Sequence, residues 1–121
     1  AVDMTQAWKE ANGDVPLVMG CIVAKADVDD AQIQAFLKEY QASTEYVTDE
    51  ANLDDAAALI EKYGIIAANV AKQALPYCNI VCITGEEMKT AAEGFLSILA
   101  EANPSSVGGA LPAEDFYYLG A

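Results

Sequence analysis

The sequence predicts an α/β fold, helix-rich with two strands, and three observations lead there. The stretch "VPLVMGCIVAK", Val15 to Lys25, is apolar from Val15 to Ala24 apart from Gly20. It shows no alternation at a period of two, so it reads as a strand covered on both faces. A second run, "CNIVCIT", Cys78 to Thr84, has the same character. The remaining segments place apolar residues at helical spacing and predict four or five helices. A buried sheet needs about three or more strands. Two strands with this much helical cover therefore predict a partial fold, in which Val15–Ala24 pairs with strands encoded elsewhere.

The elements follow in order. Met4 to Ala11 reads as a short helix closed by Asn12-Gly13, a C-cap and turn signal. The opening strand comes next, with Pro16 near its start. "DVDDAQIQAFLKEYQASTEYV" sets Ile33, Phe36, Leu37, Tyr40 and Val47 on one side of a long helix. Asp27, Asp29 and Asp30 stand at its start, where carboxylates cap and favour the helix dipole. The next helix opens at Asn52, an expected N-cap, with Asp54 and Asp55 in its first turn, and stops at Gly64. "IIAANVAKQAL" is a short helix that Pro76 ends. Thr84 stands three residues before Glu87, the spacing of a capping box. The helix behind it presents Met88, Ala92, Phe95, Leu96 and Leu99 and finishes before Pro104. In the tail, Phe116, Tyr117 and Tyr118 are consecutive aromatics, expected to dock on the protein rather than hang in water.

Composition narrows the chemistry. The 121 residues suit one domain, and no apolar run reaches the length of a membrane span. The start "AVDMTQAWKE" has neither the basic n-region nor the apolar core of a signal peptide, and it lacks Met; a removed leader or a start within a longer gene is expected. Nineteen acidic residues against six lysines, with a net charge of −13, argue against nucleic acid as a partner. No His is present, so there is no Ser-His or Cys-His relay and no His metal site. The sequence also lacks Arg, hence a bidentate clamp for anions. Acidic pairs such as Asp29-Asp30 and Glu86-Glu87 are explained by capping at helix starts. No catalytic residue, metal site or cofactor is therefore expected. Cys78 and Cys82, four apart on an extended chain, would be ~13 Å apart, too far for a disulfide. With Cys21 they read as buried structural thiols. A thiol enzyme using Cys21 or Cys82 is the weakest reading, for want of a basic neighbour.

The order of the pieces resembles a known family. "VPLVMGCIVAKADVDDAQIQAFLKEYQASTEYV", "NLDDAAALIEKYGI" and "LPYCNIVCITGEEMKTAAEGFLSILAEANPSSVGGALPAEDFYY" are similar to the C-terminal part of the substrate-binding proteins of ABC importers, in the group for nitrate, sulfonates, taurine and thiamine-precursor pyrimidines. The family's helix opening Asn-Pro-Glu-Glu stands here as Asn52-Leu53-Asp54-Asp55, with the Pro lost. The resemblance implies a partial lobe of a type II periplasmic-binding-protein fold. Residues 1–13 would end the second lobe or form a linker, and residues 14–121 would be the C-terminal portion of the first lobe.

The function so implied is the solute-binding component of an ABC importer, a C-terminal fragment that catalyses nothing. Small-molecule solute would bind between two lobes, and the closed form would dock on the permease. Localisation would be extracytoplasmic, periplasmic or lipid-anchored. Expected ligand-binding positions are Val18, Met19, Gly20 and Cys21 on the return strand, where Gly20 permits close approach; a purely core role for all four is the competing assignment. Partners would be the permease and either the N-terminal part of the same receptor or a second copy of the chain. The alternative function is a free-standing small α/β interaction module that completes its sheet by dimerisation.

Overall fold

The structure, a computed structural model, describes residues 2–120. Five α-helices run in order: α1 Met4–Asn12, α2 Asp30–Thr48, α3 Leu53–Lys62, α4 Ala68–Ala74 and α5 Gly85–Ala102. Single 3-10 turns stand at Glu50–Asn52, Leu75–Tyr77, Pro104–Val107 and Glu114–Phe116. Among the described residues there is no strand and no sheet. The α/β expectation is thereby overturned, and with it the partial lobe of a type II periplasmic-binding-protein fold. The physical reason is pairing. A strand persists when its N–H and C=O groups find a ladder, and residues 15–25 and 78–84 find none. Both are irregular coil. Apolar composition called for burial here, yet Ile22, Val23 and Val81 are exposed.

The chain forms two compact units, residues 1–25 with 83–121, and residues 26–82. In the first unit α1 starts on Asp3, whose carboxylate accepts from the Gln6 N–H. It ends at Gly13, held at φ 65° with its N–H donating to the Lys9 carbonyl, the closure expected of Asn-Gly. The Trp8 ring lies 5.3 Å from Phe95 of α5. Its indole N–H donates to the Val15 carbonyl at 2.8 Å. These contacts bring residues 14–16 against α5 at Gly94, where a Cβ would lie 3.1 Å from Val15 Cγ1. The tail returns along the same helix. The Ser106 hydroxyl donates to the Leu99 carbonyl, Glu114 pairs with Lys89, and the Leu119 carbonyl stands over Gly85. Tyr117 is 7 % exposed and is the largest buried side chain among the described residues. Tyr118 is half-buried, whereas Phe116, expected to dock, is exposed.

In the second unit α3 packs on α4 through Ala56, Ala57 and Ala71, all buried. Small side chains let the two helices approach, but they remove little apolar area from water. The predicted stripe of α2 is covered only in part. Ile33, Leu37, Tyr40 and Val47 are half-buried, Phe36 is exposed and stacks on Tyr40 at 5.8 Å, and Thr44 alone is buried, its hydroxyl donating to the Tyr40 carbonyl.

Two predicted caps take other forms. Asn52 makes no cap bond; its amide donates to the Tyr46 carbonyl, while Asp49 caps the preceding 3-10 turn. Thr84 makes no side-chain cap on α5, so the Thr84–Glu87 capping box is not formed at its Thr side. The helix after Gly64 starts later than expected, at Ala68, and the chain turns on through Pro76 in a 3-10 turn. The cysteines are not buried: Cys21 and Cys78 are exposed and Cys82 is half-buried.

Candidate functional site

A broad concavity lies within the first unit, along the start of α5. Glu86, Glu87, Thr90, Ala91 and Gly94 repeat at spacings of three and four, so one face of the helix forms a wall. Ile83 extends it, and Asp14, Val15 and Pro16 form the other side. The volume is about 750 Å³, within the span of small-molecule sites. The groove exists because Trp8 fixes the Val15 carbonyl and Gly94 has no side chain to push Val15 away. Its floor is apolar, from Val15, Pro16, Ile83, Ala91 and Gly94. Three acidic residues, Asp14, Glu86 and Glu87, also line the groove. Thr90 donates its hydroxyl to the Glu86 carbonyl, which ties the polar group of that wall to the helix.

No lysine lines the groove. Lys89, one residue from Thr90, is turned to the tail, where it pairs with Glu114 and stands 4.0 Å from Glu93 and 6.0 Å from the Tyr117 ring centroid. The hydrogen bond to Glu114 holds the Lys89 ammonium charged above the ordinary lysine range. Burial pushes the Tyr117 phenol up as well. Both groups thus move away from neutral pH. A shallower hollow of about 340 Å³ in the second unit is lined by Tyr46, Asp55, Ala58, Leu59 and Lys62, and mixes one charge of each sign. Among the described residues no group of three His, Cys, Asp or Glu is placed to hold a metal ion.

The four positions expected to meet ligand stand elsewhere. Val18 is half-buried, Met19, Gly20 and Cys21 are exposed, and none of the four lines the groove. The groove residues themselves carried a faint signal. Glu86 and Glu87 were visible as helix-start carboxylates, but nothing local marked Asp14 to Pro16 as the facing wall. That pairing depends on the Trp8–Val15 bond and on Gly94, which are tertiary facts.

A family model described as Menaquinone biosynthesis matches residues 1–101. The chain belongs to the menaquinone biosynthesis family. No curated protein and no solved structure gives a match. The match includes the whole groove and stops within the last turn of α5, before the returning tail.

Membership in the menaquinone biosynthesis family corrects the resemblance to ABC-importer receptors. The solute-receptor function, its lipoprotein character and the permease as partner fall with it. The N-terminal part of a receptor and a second chain copy were expected as suppliers of missing strands, and no strand is present among the described residues to receive them. The alternative, a module that completes its sheet by dimerisation, has no support for the same reason. The family's role is biosynthetic, so its functional setting is a pathway. No helix among the described residues is long and apolar enough to cross a membrane.

Proposed function

We propose that the chain serves menaquinone biosynthesis by binding, as a ligand-holding segment without reaction machinery of its own, and that its site is the groove between Asp14–Pro16 and α5. The observation behind this reading is the groove itself, apolar in its floor, sized for a small ligand and contained within the family match. Menaquinone chemistry builds a fused, apolar ring, and flat apolar rings are held by surfaces of this kind. A non-catalytic role is supported by the residue inventory: there is no His to relay a proton and no Arg to clamp an anion. The two groups with displaced titration, Lys89 and Tyr117, move away from the pH at which general acids and bases work.

The test is genetic and chemical together. Removing the gene from its native host is expected to lower menaquinone content, measured by extraction and chromatography. The wild-type gene restores it. An Ala91→Trp variant, which fills the groove from a helix position, is expected to fold with unchanged helical circular dichroism and to fail to restore. Unchanged menaquinone in the deletion would refute the pathway role, and full restoration by the filled variant would refute the groove as its site.

A further inference from the structure

We infer that the returning tail, Asn103 to Gly120, is a strap that orders the first two turns of α5 and so keeps one wall of the groove in shape. The hold on α5 stands on its own contacts. Its consequence for a ligand rests on the proposed reading of the groove as a site, and adds a device that regulates it.

Two neighbouring faces of α5 are in use along the same stretch. Glu86, Thr90 and Gly94, four residues apart, line the groove. Gly85, Lys89 and Glu93 form the adjacent stripe at the same spacing, and the tail meets that stripe. The Leu119 carbonyl oxygen lies 3.8 Å from where a Cβ on Gly85 would stand. Glu114 pairs with Lys89, the single lysine of α5. Lys89 in turn lies 4.0 Å from Glu93 and 6.0 Å from the Tyr117 ring centroid. Whatever fixes the tail stripe therefore fixes the orientation of the groove wall beside it.

The start of α5 has little else to hold it. Ile83 and Thr84 lead into it as coil, and the Thr84 side chain caps no N–H. Gly85 opens the helix at φ 62°, a conformation that favours glycine. The Met88 N–H reaches the Thr84 carbonyl only at 3.4 Å, beyond the length of a good bond. The tail is anchored more firmly. A terminal segment stays ordered when it is tied down, and this one is tied at both ends. The Ser106 hydroxyl donates to the Leu99 carbonyl, and the chain turns at Gly108 and Gly109, at φ 78° and 94°. Farther on, Tyr117 is buried. Of these holds the Tyr117 ring is the strongest. The Glu114 side chain is 82 % exposed, so its ion pair stands largely in water and contributes little, whereas a buried aromatic removes a large apolar area from water.

Hydrogen exchange of the full chain, followed amide by amide by NMR, reads the strap. The amides of Met88 to Ala91 report the first turns of α5. Tyr117→Ala is expected to speed them by more than about tenfold. Tyr117→Phe, which keeps a buried ring, is expected to leave them near the wild-type rate. Glu114→Gln, which leaves Tyr117 in place, is expected to speed them by about twofold. The amides of Leu96 to Leu99, farther along α5, are expected to hold their rates in all three variants. Unchanged rates at Met88–Ala91 in Tyr117→Ala overturn the strap. An equal rise at Leu96–Leu99 also overturns it, because it assigns the effect to loss of folding at large. A neutral ring probe, 2-naphthylmethanol, extends the test to a ligand. Coupling between two sites is reciprocal, so its binding is expected to slow Met88–Ala91 and the Tyr117 amide together, and to weaken in Tyr117→Ala. Slowing at Met88–Ala91 with Tyr117 unaffected would overturn the regulation of the groove by the tail. Slowing at neither place would overturn the groove as a ligand site, while the rates in the three variants decide the strap by themselves.

Discussion

Tyr117 and Lys89 show how much one pair of side chains organises here. Tyr117 sits 7 % exposed between Lys89 and Phe116, whose ring meets it edge-on at 5.2 Å. Burial raises the Tyr117 phenol, and the Glu114 hydrogen bond raises Lys89. In each case the folded chain holds the proton more tightly than the unfolded chain does. Their contribution is therefore fully present below pH ~10 and is lost as pH climbs through the raised values. The six tyrosines should titrate unevenly by absorbance at 295 nm, one of them late, and Tyr117→Phe should remove the late one. Tail protection from proteolysis should fall over the same alkaline range. The cluster of Phe116, Tyr117 and Tyr118 was legible as an ordered tail, but which ring is buried was not. That choice follows from where Lys89 and Glu114 meet, a contact spanning twenty-five residues.

At the level of elements, helices were legible and strands were not. α3 and α5 arise where apolar spacing, acidic first turns and a Gly or Pro stop agree, while α1 forms without an acidic first turn and α2 without a Gly or Pro stop. Capping is where local signals diverged from outcome, and the divergence is measurable. Asp29 accepts the Ala31 N–H at 2.7 Å, so Asp29→Ala should weaken α2 by about 1 kcal/mol. Thr84 makes no such bond, so Thr84→Ala should change the stability of α5 by less than about half of that. Thermal melts followed at 222 nm compare the two variants directly, and an equal loss for both would show that Thr84 caps α5 in solution. The strand assignments failed because an apolar run states only that burial is sought. Residues 15–25 and 78–84 carry that demand without a neighbouring backbone to answer it.

For the molecule as a whole, exposure is the governing quantity. The chain shows 9085 Å² to solvent. A compact monomer of this mass would expose about 6,300 Å², and even two separate compact bodies of half the mass about 7,600 Å². The excess belongs to residues such as Met19, Ile22, Val23, Ile65 and Val81. Such a chain should show strong helical circular dichroism together with bound 1-anilinonaphthalene-8-sulfonate fluorescence and a broad thermal transition. A sharp calorimetric peak without dye binding would contradict this.

By itself the sequence determined the helices, their acidic starts, the lack of any His- or Arg-based chemistry and the acidic balance, because each depends on residue type and near-neighbour spacing. Only the tertiary structure decided that the two apolar runs form no strand ladder among the described residues, that Trp8 holds Val15 against Gly94, and that Asp14 lines one groove with Glu86 and Glu87. Spacing along a chain sets which way a side chain points from its own element. Which other element it meets is set by contacts between residues far apart in sequence, and those are energetically decided only when the chain closes on itself.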